Sequence, residues 1–74
     1  EFSLEREADV TLDVFDLQGR HVATPVAGRL PAGTVRAGWN LRRDDGGAVE
    51  PGLYFARLQA LGRTLFSRVT VVAR

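Results

Sequence analysis

Residues 9–14 read DVTLDV: Val10, Leu12 and Val14 alternate strictly with Asp9, Thr11 and Asp13. A period of two places the three apolar side chains on one face of an extended chain and the polar ones on the other. That is the pattern of a half-buried strand in an antiparallel sheet. Downstream, residues 16–20 read as a turn in which the Asp16 side chain accepts backbone N–H groups, Gly19 takes a positive φ, and Arg20 leads out. Residues 21–24 then return as a short strand that Pro25 stops. Upstream, Phe2, Ser3 and Leu4 add a short edge strand.

The same period recurs further along the chain. Val35, Ala37 and Trp39 alternate with Thr34, Arg36 and Gly38, a strand introduced by the turn signal of Pro31 and Gly33. Residues 41–52 form a polar loop. Residues 52–60 make a strand with Tyr54, Ala56, Leu58 and Ala60 inward and Leu53, Phe55, Arg57 and Gln59 outward, entered through a tight swing at Gly52. Leu61 and Gly62 turn the chain into a last strand, residues 63–72. It shows Leu65, Val69 and Val71 to one side and Phe66, Arg68, Thr70 and Val72 to the other.

Nowhere do apolar residues recur at helical spacing over two full turns, so essentially no α-helix is expected. Six to seven short strands with frequent turn signals predict an all-β, antiparallel β-sandwich, two packed sheets being favoured over a barrel with Pro25 and Pro31 on edge segments. Trp39, the largest apolar side chain, is expected to fill the space between the sheets.

Composition narrows the function classes. The 74 residues are 45% hydrophobic and 26% charged, which suits one folded domain and excludes disorder. A domain this small has a net stability of about 4 to 11 kcal/mol, which leaves little room for a strained active site. The absence of cysteine excludes disulfides, thiolate metal sites and thiol nucleophiles. No apolar run approaches a membrane span and no signal peptide is visible. All ten basic residues are Arg, and nine acids lie among them, so no basic stripe for nucleic acid emerges. A chain that starts at Glu1 and contains no Met reads as part of a longer protein, with any export signal upstream.

The chemistry-bearing residues are few. Asp44 and Asp45, with Glu50 nearby, form an acidic loop cluster. It has too few regularly spaced oxygens for a calcium loop, and both aspartates read as caps of backbone amides. His21, the sole histidine, reads as a surface or packed residue rather than a ligand. Nothing brings Ser3, Ser67 and His21 together with a carboxylate, and no nucleophile elbow or phosphate loop is present, so no catalysis and no cofactor or metal are expected. Phe15, Phe55 and Phe66 fall opposite the core set, with Phe66 facing Arg57 and diagonal to Phe55 if residues 61–62 form a two-residue turn. Such a patch suits a partner or a sugar, or else is covered by edge strands or a neighbouring domain.

Four segments, residues 13–22 (DVFDLQGRHV), 30–40 (LPAGTVRAGWN), 43–58 (RDDGGAVEPGLYFARL) and 68–74 (RVTVVAR), resemble in order and spacing the small Ig-like domain of the flagellar hook-capping protein. They are also similar to the C-terminal sorting domains of type IX secretion cargo. Asp16, Gly19, Arg20, Gly33 and Trp39 carry the structural part of the resemblance. Asn40 and Leu41 depart from the Asp and Gly that commonly follow the tryptophan, and Arg74 supplies the terminal charge without any Lys.

The resemblance implies an Ig-like domain over residues 1–74, forming the C-terminal part of a larger exported protein, secreted or on a bacterial cell surface. It further implies a non-catalytic sorting or anchoring module. An upstream passenger and outer-membrane secretion machinery would be its partners, and Gly52, Tyr54, Phe55, Phe66, Arg68, Val69, Val71 and Arg74 its recognition surface. The alternative is a structural spacer, a carbohydrate-binding module, or a hook-cap-type assembly domain.

Overall fold

A computed structural model describes residues 2–35 and 38–72. Among these residues six strands follow one another: β1 (Phe2–Leu4), β2 (Ala8–Phe15), β3 (His21–Leu30), β4 (Gly33–Val35), β5 (Gly52–Ala60) and β6 (Arg63–Val71). They form an antiparallel four-stranded sheet in the order β3-β2-β5-β6 and a two-stranded sheet of β1 and β4. The architecture is an all-β, Ig-like β-sandwich.

The alternation at residues 9–14 sets the inner face of the larger sheet. Val10 and Val14 are fully buried there, and Leu4, Ala8, Ala23, Tyr54 and Val71 complete the core. Val14, Tyr54 and Val71 pack together, with Val22, Trp39, Val49 and Val69 against them. The expected turns form as well. Asp16 accepts the amides of Gln18 and Arg20, each at 2.9 Å, and Gly19 sits at φ 82°. Leu61 and Gly62 lie at φ 52° and 72°, the paired left-handed conformation of a two-residue hairpin. That turn sets Arg57 opposite Phe66 and Phe55 opposite Arg68.

Three expectations need correction. Pro25 does not stop its strand, since β3 runs on to Leu30. Asp13 of β2 faces two residues, Thr24 and Pro25, between the pairs Leu12–Val26 and Val14–Ala23. This β-bulge on an edge strand is a place where a residue without an N–H is tolerated.

Trp39 lies in no strand. β4 ends at Val35, Arg36 and Ala37 fall outside the described residues, and the chain at 38–42 is already turning. The Asn40 Oδ1 accepts the Arg42 amide at 3.1 Å and Leu41 takes φ 62°, a local side-chain turn that competes with strand pairing. Trp39 is half-buried, with its ring 5.5 Å from Tyr54, edge to face, and its Nε1 donating to the Arg42 carbonyl at 2.9 Å.

Leu65 shares the face of Val69 and Val71 but is 57% exposed, standing on the edge strand β6 at the rim of an open groove. An apolar groove of about 580 Å³ remains on this face, lined by Phe2, Leu12, Trp39, Leu58, Leu65 and Val69 among others.

Candidate interaction surface

The outer face of the four-stranded sheet gathers the polar and aromatic residues that the inner alternation excludes. Register places them in two rows. One runs His21, Phe15, Phe55, Arg68; the other runs from the Thr24–Pro25 bulge through Asp13 and Arg57 to Phe66. Phe66 is 70% exposed, whereas Asp13 is buried although it belongs to this outer face.

Three side chains cover Asp13. The Thr24 hydroxyl donates to its Oδ1 at 2.7 Å, His21 Nε2 approaches the same oxygen at 3.1 Å, and an Arg57 terminal nitrogen donates to Oδ2 at 3.1 Å. Burial pushes the Asp13 carboxyl up. The hydrogen bonds from Thr24, Arg57 and His21 and the charge of Arg57 outweigh burial, so the carboxyl titrates below the ordinary aspartate range. Arg57 also lies over Phe15, its guanidinium carbon 4.9 Å from the ring centroid, and His21 meets Phe15 edge-on at 5.7 Å. The Arg57 Nε is buried without a hydrogen-bond partner among the described residues.

Asp13, His21 and Thr24 do not form a catalytic relay. A relay needs the two imidazole nitrogens to face different partners, one the carboxylate and the other the hydroxyl. Here Nε2 alone faces both, at 3.1 Å from Asp13 and 2.8 Å from Thr24. A carboxylate can only accept, so Nε2 carries the hydrogen and cannot take a proton from Thr24, whose own proton is committed to Asp13. The arrangement clamps the bulge. The Thr24 amide is held from the other side by Asp44 Oδ1 at 2.9 Å, which ties the polar loop to β3.

The loop is otherwise self-supporting. Asp45 caps the Gly47 amide at 2.8 Å, the local turn expected of it, whereas Asp44 reaches a distant amide on β3 instead of one in its own loop. The Tyr54 hydroxyl donates to the Glu50 carbonyl at 2.6 Å, which anchors the end of the loop to the core.

Residues 1–63 match the family model of the FlgD Ig-like domain. The chain belongs to the FlgD Ig-like domain family. No curated protein and no solved structure matches it. The FlgD Ig-like match takes in β1 to β5 and the turn after them, and stops at the first residue of β6. Asp16, Gly19, Arg20, Gly33 and Trp39 all lie within it, and the Arg20 Nε closes the first turn on Asp16 Oδ2 at 2.9 Å.

The residues expected to form one recognition surface are split between two faces of this FlgD Ig-like fold. Phe55, Phe66 and Arg68 lie on the outer face. Tyr54 and Val71 are buried on the inner one, where Val69 packs against them. Gly52 opens β5 opposite Val71, and Arg74 lies outside the described residues. β5 is central, paired by β2 on one side and β6 on the other, so its backbone is not free for a receptor; among the described residues β6 is an edge strand of this sheet, as β3 is at the other end. Sequence reading missed the Asp13–Arg57 pair, whose members lie 44 residues apart. The one available signal was that both sit at polar positions of alternating strands.

Proposed function

We propose that this domain is a non-catalytic assembly module of the hook-cap kind, working outside the bacterial cytoplasm as one part of a longer polypeptide. The match to the FlgD Ig-like domain over residues 1–63 carries the reading. The geometry supports it: the polar cluster on the outer face acts as an internal clamp, and β6 leaves one large apolar side chain exposed on each face, Phe66 on the outer and Leu65 on the inner. Exposed side chains of that kind serve contacts between polypeptides. The sorting reading shares the exposed terminal strand, but no comparison carries the likeness to sorting domains, and assembly therefore stands first.

The test is to excise residues 2–72 from the gene in its own organism and to replace them, in a second strain, with an unrelated Ig-like domain of similar size. Hook assembly scored by electron microscopy should fail in both strains. Normal hooks in both strains would overturn the reading, and loss of a surface protein with hooks intact would put sorting in its place. Rescue by the unrelated domain would reduce the role to that of a spacer.

A further inference from the structure

The two edges of the four-stranded sheet are built differently. β3 carries Pro25, which lacks an N–H, a bulge at Thr24–Pro25 and a second irregularity where Val22 has no opposite residue. Such features protect an edge against pairing with another chain. β6 has none of them. Its nine residues pair with β5 in unbroken register from Ala60–Arg63 to Gly52–Val71, it contains no proline, and Leu65 and Phe66 stand 57% and 70% exposed beside the open side.

From the order of side chains along β6 we infer that its occupant is a second copy of this chain, joined β6 to β6 in antiparallel fashion about a two-fold axis at Ser67. This rests on the reading of the domain as an assembly module and names one partner for it. A two-fold axis normal to the sheet keeps the inner faces of both copies on the same side, so residues opposite each other must share a face. The register that pairs all nine residues of Arg63–Val71 has its centre at Ser67.

In that register each Phe66 faces Arg68 of the second copy, and each Leu65 faces Val69. Thr64 meets Thr70, and Arg63 meets Val71. Arginine never faces arginine, whereas shifting the centre by one residue to Arg68 would set two cations directly opposite. The Phe66–Arg68 pairs repeat the contact of arginine with an aromatic ring already made by Arg57 and Phe15. On the inner face, Leu65 and Val69 line the apolar groove of their own copy, so their meeting across the axis joins the two grooves into one floor. Four strands from each copy form a continuous sheet. Pairing of one edge buries less than the roughly 1,600 Å² of a standard interface, so the association is weak and concentration-dependent.

The chain contains no cysteine, so single cysteines report proximity cleanly. The 74-residue protein should sediment as a monomer of 8.1 kDa when dilute and move toward twice that mass as concentration approaches roughly 1 mM, the range of weak, small interfaces. With oxidised glutathione as oxidant, Ser67→Cys should crosslink into a dimer at least tenfold faster than Thr64→Cys alone. An equimolar mixture of Thr64→Cys and Thr70→Cys should form the mixed dimer. Phe66→Ser, at an exposed position and placing no second cation opposite Arg57, should leave the thermal melt nearly unchanged and weaken association at least threefold, because Arg68 of the second copy loses its aromatic partner.

A wild-type protein that stays monomeric throughout, or Ser67→Cys crosslinking no faster than Thr64→Cys, would overturn the two-fold pairing. If hook assembly still depends on the domain, the module reading survives that failure with a different polypeptide on β6.

Discussion

Asp13 and Arg57, 44 residues apart in the chain, face each other across β2 and β5 and are joined by a 3.1 Å hydrogen bond on the outer face of the sheet. The pair locks the register of the two central strands and, through Thr24 and His21, holds the bulge that bends the edge strand β3. A side chain facing outward thus does the work of a core contact.

Asp13→Asn should therefore destabilise the domain by about 1 to 3 kcal/mol, the cost of leaving the donors of Arg57 and Thr24 poorly matched in a buried position. Urea unfolding of both proteins under identical conditions checks this. A change below about 0.5 kcal/mol, the scatter of ordinary surface substitutions, would contradict the clamp.

Stability should also decline in acid. The Asp13 carboxyl is held low by its three donors and the charge of Arg57 against the opposing effect of burial. The Asp16 carboxyl is held low first by the Arg20 backbone amide. A carboxyl whose folded value lies below its unfolded value binds fewer protons when folded. Its contribution is full above the ordinary aspartate value of about 3.9 and is lost as pH falls through the folded value. Chemical denaturation between about pH 5 and pH 2 should show this loss, with a shallower slope in Asp13→Asn.

Much of this architecture is legible in the chain because its signals are local. The alternation of Val10, Leu12 and Val14 needs only six residues to declare a face, and Leu61–Gly62 needs two to set Phe66 opposite Arg57. Features that depend on a partner distant in sequence are not legible in the same way. Pro25 reads as a stop until Asp13 is known to face it across a bulge. Trp39 reads as strand because nothing in its own spacing reveals the turn that Asn40 and Leu41 impose. Leu65 reads as core because its parity is right, while its exposure follows from the place of β6 at the edge of the sheet. The candidate surface divides for the same reason: Tyr54 and Phe55 are neighbours in the chain and face opposite ways.

Trp39→Ala should cost about 2 to 3 kcal/mol, below the range for a fully buried tryptophan, since the ring is half-buried against Tyr54 and its Nε1 bond to the Arg42 carbonyl is lost. Native fluorescence should lie between the buried and the solvent limits, with partial quenching by acrylamide. Full protection from the quencher would place the ring deeper than the structure does.

Leu61→Asn should raise stability by about 1 kcal/mol. Leu61 sits at φ 52°, where a leucine is strained, and asparagine followed by Gly62 is the preferred sequence for this hairpin turn. A lowered melting temperature would show that the half-buried leucine side chain contributes more than its backbone conformation costs.

The open edge of β6 is the central claim, and residue-resolved amide hydrogen exchange on a dilute sample tests it most directly. The sheet order predicts strong protection along β5, which is paired on both sides. In β6 protection should alternate, with every second amide bonded to β5 and the others exchanging rapidly. Raising the concentration should then slow those exposed amides selectively, as a second β6 covers them. Uniform protection along β6 in dilute solution, or rapid exchange along β5, would contradict the sheet order on which the two-fold pairing depends.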